Sequence, residues 1–286
     1  MSTAAYGQPP LTKPLAKPPA APHGGTMSHN ASPIIPAATL VIFRQSGANP
    51  PELLMIERAS TMRFAGGAAV FPGGRVDAAD VELARTTGAG SEEALTDTAA
   101  RIAAIRETLE ETGLLLGLDR PCSALEAAQA RRTVQRTGKL ADVLAELDAQ
   151  LALDSLVPFA RWVRSAHPDR PVGRFDTCFY LANLGTGAVE ISEDTTESAA
   201  LFWTSAEQAL RHADEGAIKV IFPTRRNLER LAQFSSFTQA CADAAAHPVT
   251  PIHSYREMRD GVEWLLIPEG LGYPVTGQKL SSAQRG

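Results

Sequence analysis

Cysteine is scarce in this chain, and its scarcity argues against two classes of site. The 286 residues include three cysteines, Cys122, Cys178 and Cys241, an odd number at wide spacings. A disulfide framework uses an even, regularly spaced set, and a structural zinc site uses paired ligands. The sequence therefore predicts free thiols in a reducing compartment, and we expect a cytoplasmic protein. A catalytic cysteine is the weaker alternative.

Long apolar runs and clustered positive charge are also missing. No apolar run approaches the roughly 20 residues that span a bilayer. The formal net charge is −5 and the pI is near 5.7, whereas nucleic acids and anionic membranes bind clustered cations. We therefore expect neither a membrane partner nor a nucleic-acid partner. A Walker loop, a Gly-x-Ser-x-Gly elbow and a histidine pair at metal-binding spacing are absent as well.

Residues 1–36 contain almost no large apolar side chain. Prolines interrupt a tract of alanine, serine, glycine and lysine at Pro9, Pro10, Pro14, Pro18, Pro19, Pro22, Pro33 and Pro36. A segment of this composition cannot bury enough apolar surface to fold alone, so we predict a disordered tail. The remainder, residues 37–286, has enough apolar material for one large domain.

Three carboxylates in residues 106–114 (RETLEETGL) are the most informative feature that is present. At about 100° per residue, Glu107, Glu110 and Glu111 share one face of a helix. Like charges at this spacing repel each other. A hard cation such as Mg²⁺ or Mn²⁺, which prefers oxygen ligands, converts that repulsion into affinity. The pattern therefore predicts a metal site, and the alternative is an ordinary solvated acidic face.

The same segment resembles the signature helix of the Nudix hydrolases, with Thr108 at a position that is usually apolar. Upstream, residues 71–77 (FPGGRVD) resemble the strand and glycine loop that lead into that helix. The step from Gly74 to Arg106 is longer than in the family, so we predict an insertion at about residues 78–97. The insertion leaves the motif's fourth, more N-terminal acidic position open among Asp80, Asp97 and Thr98.

The resemblance implies a divalent-metal centre and assigns residues to it. Glu107, Glu110 and Glu111, together with Gly74, would hold Mg²⁺ or Mn²⁺. The same three glutamates and Arg106 would form the catalytic group. The metal would activate a water that attacks phosphorus.

Residues outside the helix extend the resemblance to the coenzyme A diphosphatase subgroup. Arg58 and Arg63 precede the glycine loop and could hold substrate phosphates bidentately, the alternative being two solvated arginines. A further carboxylate often completes the site in this family. Glu193, Asp194 and Glu197 are the candidates here, and a solvated acidic loop is the alternative for each.

Four later charged residues also match pieces of that subgroup. We interpret Arg174 and Asp176 as a structural ion pair beside the sheet. Arg225 and Arg226 are interpreted as the wet face of a helix.

The implied function is hydrolysis of a nucleoside diphosphate linked to another group, with coenzyme A or an acyl-coenzyme A as the substrate. The alternatives are an ADP-ribose or dinucleotide pyrophosphatase, and a non-catalytic module that senses a nucleotide. In each case the partner is a small-molecule nucleotide. A homodimer stays open.

The order of predicted elements indicates an α/β fold: a Nudix-type α/β/α sandwich around a mixed β-sheet, with an inserted helical segment. Ser91 is a suitable N-cap for the long helix, and Gly113 a suitable stop. Residues 123–153 predict a helical hairpin that turns at Gly138. Residues 224–246 predict further helix, and strands are expected at residues 37–44, 52–59, 68–71, 156–164, 175–184, 197–204 and 262–267.

Overall fold

Successive buried side chains of the central strands point to opposite faces of the sheet, so both faces are apolar. The computed structural model describes residues 34–45, 49–59, 65–164, 174–185 and 198–283. The strands are β1 (Ile34–Arg44), β2 (Glu52–Arg58), β3 (Ala69–Val70), β4 (Gly73–Arg75), β5 (Val157–Val163), β6 (Arg174–Gly185), β7 (Ser198–Ser205), β8 (Pro251–His253), β9 (Tyr255–Arg259), β10 (Val262–Leu266) and β11 (Gly277–Lys279). The helices are α1 (Ala78–Thr86), α2 (Glu92–Thr112), α3 (Ala124–Thr137), α4 (Leu140–Leu147), α5 (Ala206–Asp214), α6 (Phe222–Leu231) and α7 (Phe237–Ala246).

The main sheet is mixed, as predicted. Its order is β3-β2-β1-β6-β5-β8, with β4 paired to β1 and β7 paired to β2. The β1–β6 and β5–β8 pairs are parallel, and the other pairs are antiparallel. A separate three-stranded sheet has the order β11-β10-β9.

Helices cover both faces of the main sheet. Val41 and Phe43 of β1 enter an apolar core with α5, α6 and α7. Leu40 and Ile42, which point the opposite way, enter a second core with α2, α3 and α4. Because successive strand residues alternate between faces, one strand supplies both cores. The α/β/α sandwich predicted from the sequence is confirmed.

The long helix α2 has the predicted ends. The Ser91 hydroxyl accepts a hydrogen bond from the Ala94 N–H at 3.1 Å. Gly113 closes the helix in the left-handed region at φ 77°, which glycine adopts without steric strain. Its apolar stripe, including Ile105 and Leu109, is fully buried against the sheet. Local sequence signals are therefore sufficient to place this helix.

The predicted helical segments are present. Residues 78–97 form α1, the loop that follows it and the beginning of α2. Residues 123–153 contain the hairpin of α3 and α4, which turns at Gly138 with φ 69°. Val134 and Val143 bury this hairpin in the same core as α2.

The structure corrects three boundaries or gaps in the prediction. β1 begins at Ile34, so residues 34–36 belong to the sheet and not to the predicted tail. Residues 224–246 form parts of two helices and not one. The first helix ends at Leu231, and Ser236 caps the start of α7. The short strands β4, β8, β9 and β11 were not predicted, since three to five residues carry too little alternation to identify.

Two predictions from composition can be compared with the structure. Cys122, Cys178 and Cys241 are free thiols, as predicted. Within the described ranges, no helix combines the length and apolar character that a membrane crossing requires.

Candidate active site

Arg106 on α2 is the centre of the candidate site. It is 2% exposed, and its guanidinium donates to both carboxylate oxygens of Asp80, at 2.9 Å each. A third bond, from Nη2, reaches the Arg75 carbonyl at 2.9 Å. Nη1 donates to Glu107 Oε1 at 3.1 Å and to Glu110 Oε1 at 3.4 Å. A buried guanidinium satisfied in this way fixes the orientation of its acidic neighbours.

Asp80 is the residue that positions Arg106. It is 1% exposed and lies in the first turn of α1, where its Oδ2 also accepts from the Asp77 N–H at 2.9 Å. The sequence left the motif's fourth acidic position open among Asp80, Asp97 and Thr98. Asp97 instead pairs with Arg101 on the far side of α2 and accepts from the Tyr180 hydroxyl. Of the two acidic candidates, Asp80 alone makes a direct contact with Arg106 in the described residues.

The glycine loop holds the third glutamate. The Gly73 N–H donates to Glu111 Oε2 at 2.9 Å. Glu111 is 8% exposed. This bond joins β4 to the last turn of α2, so the two halves of the sequence motif meet in space despite the helix and loop inserted between them.

Gly74 lies directly against Glu107. A Cβ at position 74 would fall 2.3 Å from the Glu107 carboxylate carbon and 2.4 and 2.5 Å from its two oxygens. Real Cβ atoms do not approach other atoms so closely, so any other residue at position 74 would force this carboxylate to move. The predicted grouping of Gly74 with Glu107 is therefore a direct contact.

Burial and crowding favour the protonated form of two glutamates. Burial raises the pKa of Glu107 to about 7. The nearby Glu110 also raises this pKa, whereas Arg106 lowers it. Burial likewise raises the pKa of Glu110, although Arg106 opposes the shift. Burial alone would lower the pKa of Arg106, but its bond to Asp80 and the nearby glutamates raise it. When these glutamates are ionised, the site has more negative charge than one arginine neutralises.

The donor set fits a hard divalent cation in chemistry. Carboxylate oxygens are the ligands that Mg²⁺ and Mn²⁺ prefer, and Gly74, which has no side chain, leaves space beside the Glu107 carboxylate. Within the described part of the chain, however, no group of three His, Cys, Asp or Glu side chains is arranged to hold a metal ion. Glu107 and Glu110 are instead hydrogen-bonded to Arg106, and Glu111 to Gly73.

Arg131 on α3 is a supporting residue that sequence reasoning missed. Its Nε donates to the Glu110 carbonyl at 3.1 Å, and its Nη2 to the Glu111 carbonyl at 3.3 Å. The last turn of α2 has no basic residue of its own, so Arg131 supplies the positive charge that favours a helix C-terminus. No local pattern identifies it, because α3 follows α2 after a loop.

Of the other predicted site residues, the structure describes Arg58. Arg58 ends β2, and its Nε is buried with no hydrogen-bond partner within the described residues. Its backbone pairs with the segment that leads to the glycine loop, through Ala68 and Gly67. Arg63, Glu193, Asp194 and Glu197 lie outside the described residues, so their roles stay predictions.

Two interpretations of charged residues were wrong. Asp176 pairs with Arg161, at 2.8 and 2.6 Å, and not with Arg174. Arg161 lies on the adjacent strand β5, two positions from Val163, the residue directly opposite Asp176. Arg226 is 1% exposed and not on a wet helix face. It donates to the Gly277 carbonyl and the Gln278 side chain of β11.

Comparisons with known proteins found a matching family model and similar sequences. A family model described as the NUDT19 Nudix domain matches residues 82–231. The acyl-coenzyme A diphosphatase NUDT19 of Gallus gallus is 32% identical over 243 residues, which cover 65% of this chain and 62% of that protein. A putative nudix hydrolase 7 of Caenorhabditis elegans is 29% identical over 188 residues, which cover 63% of this chain and 56% of that protein.

A solved structure is similar over a larger share of the chain. The crystal structure of a NUDIX hydrolase from Alicyclobacillus acidocaldarius superposes with a TM-score of 0.62 at 30% identity, covering 74% of this chain and 96% of that one. The chain spans 62% and 56% of the length of the two curated relatives.

Proposed function

Since the chain belongs to the Nudix hydrolase family, we propose that it hydrolyses the diphosphate of coenzyme A or an acyl-coenzyme A. The observation that carries this proposal is the cluster of Glu107, Glu110 and Glu111 around Arg106 and the glycine loop. The similarity to a protein named acyl-coenzyme A diphosphatase supports the substrate class. For coenzyme A the products are a 3′-phosphorylated adenosine monophosphate and phosphopantetheine.

Glu107, Glu110 and Glu111, with the Gly74 backbone, are the residues we propose to hold Mg²⁺ or Mn²⁺. When bound, such a cation neutralises diphosphate oxygens and lowers the pKa of a coordinated water. Hydrogen bonds from Arg106 orient the Glu107 and Glu110 carboxylates, and a hydrogen bond from the Gly73 N–H orients Glu111. Asp80 holds Arg106 in place, so it acts as a positioning residue.

Arg58 and Arg63 are the residues we propose for substrate phosphates. The Arg58 Nε is a buried donor without a partner among the described residues, and such a group is unfavourable unless something binds it. An anionic oxygen of the substrate would satisfy it. Coenzyme A carries a 3′-phosphate in addition to its diphosphate, so it offers an anionic group that ADP-ribose lacks.

We propose that Glu193 or Glu197 supplies the further carboxylate of the site. The support is the resemblance alone. The cytoplasmic location and the tail, shortened to residues 1–33, are also proposals, supported by the cysteine content and the composition of the sequence.

A substrate panel tests the function. The purified full chain is incubated with Mg²⁺ or Mn²⁺ and coenzyme A, acetyl-coenzyme A, ADP-ribose, NADH or diadenosine tetraphosphate, and the products are separated by chromatography. We expect the largest kcat/KM for coenzyme A or its acyl form. A preference for ADP-ribose or a dinucleotide would reassign the substrate. No turnover of any compound, with retained nucleotide binding, would indicate a sensing module.

An arginine variant tests the substrate contact separately. Arg63→Ala should reduce kcat/KM for coenzyme A more than for ADP-ribose, because only the former has the additional phosphate. Arg63→Lys should recover part of the loss, since an ammonium restores charge without the planar fork. Equal losses on both substrates would place Arg63 on the shared diphosphate or on the scaffold.

A further inference from the structure

The outer edge of the small three-stranded sheet is exposed in a manner that the proposed hydrolase function does not explain. In the described residues β9 pairs with β10 and with no other strand. Every residue of β9 is exposed. Met258, at 66%, is far more exposed than is usual for a large apolar side chain. An edge strand of this kind is a template for pairing with another chain.

The hairpin geometry determines which backbone groups point away from β10. Asp260 and Gly261 connect β9 to β10 with φ values of 50° and 77°, the conformation of a two-residue type I′ turn. In such a hairpin the flanking pair, Arg259 and Val262, exchanges both hydrogen bonds. Alternation along the strand then directs the N–H and C=O of Met258 outward, away from β10. Those of Glu257 point inward.

Symmetry restricts how two copies of this edge can pair. A two-fold axis between antiparallel edges keeps each face of the sheet continuous, so it must pass through a residue position. Only outward-pointing positions can exchange backbone bonds across the axis, and in the second half of β9 that position is Met258. An axis at Glu257 would leave that residue in a non-hydrogen-bonded pair, with the bonds made by Arg256 and Met258 of opposite copies, and it would place Glu257 opposite its own copy, where like charges repel.

The charges of β9 favour the axis at Met258. This register places Met258 opposite Met258 of the second copy and Glu257 opposite its Arg259. It also places Arg256 opposite the Asp260 position. The neighbouring outward position, Arg256, would put two arginines opposite each other on the axis. Opposite charges across a strand pair stabilise it, and like charges destabilise it.

We propose that β9 is a self-association edge, which joins two copies of this chain as an antiparallel pair centred on Met258. The occupant of the edge is thus a second copy. Within one copy, Glu257 already forms an ion pair with Arg259 at 2.7 Å. In the pair, each Glu257 lies beside Arg259 of its own strand and opposite Arg259 of the second copy, so four charges of alternating sign lie together. An edge of five residues is smaller than a standard protein interface, so the dissociation constant should be on the order of 10 to 100 µM.

Charge reversal tests the register. The full chain and the variants Glu257→Arg and Arg259→Glu are compared by sedimentation velocity over a concentration series. The wild type should dimerise reversibly, and each variant should associate at least about tenfold more weakly, because like charges then meet on both sides of the axis. An equimolar mixture of the two variants should recover dimerisation. Mixing cannot rebuild an ion pair within one chain, so recovery requires contact between copies.

A proline variant tests the backbone contact. Met258→Pro removes an N–H that points away from β10, so the hairpin should persist while edge pairing is lost. Met258→Thr keeps that N–H and should still dimerise. Circular dichroism verifies that both variants are folded. A wild type that remains monomeric well above the expected range would overturn the proposal. It would also fall if the two charge variants do not recover on mixing, or if Met258→Pro dimerises like Met258→Thr.

Discussion

Two arginine networks in this protein differ in their charge balance. Around Arg106, one guanidinium lies within 4.0 Å of four carboxylates, those of Asp77, Asp80, Glu107 and Glu110. Around α6, three arginines meet three carboxylates in ion pairs: Arg225, Arg226 and Arg230 with Asp214, Glu229 and Asp243.

The second network also includes hydrogen bonds to backbone carbonyls. Arg230 donates to the Phe159 carbonyl at 3.1 Å, and its guanidinium lies 4.2 Å from the centre of the Phe159 ring. Arg226 donates to carbonyls of the C-terminal segment. A balanced network of this kind fastens elements together. The unbalanced network on α2 leaves negative charge for a cation, so the comparison separates a structural site from a candidate active site.

The largest expected effect is on turnover. Glu110→Gln and Glu111→Gln should each reduce kcat at saturating Mg²⁺ by about a hundredfold or more, corresponding to ~3 kcal/mol of transition-state stabilisation. The amide keeps the size and an acceptor oxygen but removes the charge. Steady-state kinetics on coenzyme A measures the change.

The control is Glu92→Gln in the first turn of the same helix, where the side chain is exposed. It should be as active as the wild type. Wild-type activity in Glu110→Gln or Glu111→Gln would show that the replaced carboxylate does not take part in the reaction.

The balanced network should affect stability without affecting catalysis. Arg230→Met leaves Asp243 without its guanidinium partner and should reduce the free energy of unfolding by about 2–3 kcal/mol. The kcat/KM of the folded protein should remain within about twofold of the wild type. Urea unfolding and kinetics on the same samples measure both quantities. A large loss of kcat/KM would show that the network around α6 also contributes to catalysis, which contradicts its assignment as structural.

Glu107 should make the stability of the metal-free protein depend on pH. Its pKa is raised by burial to about 7 in the folded state, so the unfolded chain releases this proton at lower pH than the folded chain. The contribution of Glu107 therefore falls as pH rises from its ordinary pKa through about 7. Glu107→Gln stays neutral and lacks this loss.

The measurement is urea unfolding of both proteins in a chelator at pH 5 and pH 8. Relative to the wild type, Glu107→Gln should gain about 2 kcal/mol between the two values. An equal pH dependence in the two proteins would show that the Glu107 carboxyl is not perturbed.

The smallest expected effect concerns Thr108, which occupies a usually apolar position of α2. It is fully buried, and its hydroxyl has no hydrogen-bond partner within the described residues. Thr108→Val removes this group at constant shape and should stabilise the protein by about 1 kcal/mol. Thr112→Val is the matched control: that hydroxyl donates to the Thr108 carbonyl and accepts from the Leu114 N–H. It should destabilise the protein, and a shared sign would refute the argument.

Sequence reasoning succeeded where the signal was local. The ends of α2, the shared face of its three glutamates and the turn at Gly138 each depend on residues within a few positions of one another. The contact between Gly74 and Glu107 followed from the motif despite the intervening insertion.

The partners of the buried arginines could not be predicted in this way. Asp80 precedes Arg106 by 26 residues, and the Gln278 partner of Arg226 follows it by 52. Arginine is ordinarily exposed, so Arg226 was assigned to a wet helix face. Its burial depends on a C-terminal segment that folds back over α6, and no local pattern of α6 specifies that event.

Direct metal binding tests the central claim, that the unbalanced carboxylates of α2 bind a divalent cation. Metal-free protein is titrated with Mn²⁺ and followed by electron paramagnetic resonance, without substrate. The wild type should bind Mn²⁺, and the triple variant with Gln at Glu107, Glu110 and Glu111 should lose that binding while keeping its circular dichroism spectrum. Equal binding by the folded triple variant would contradict the claim.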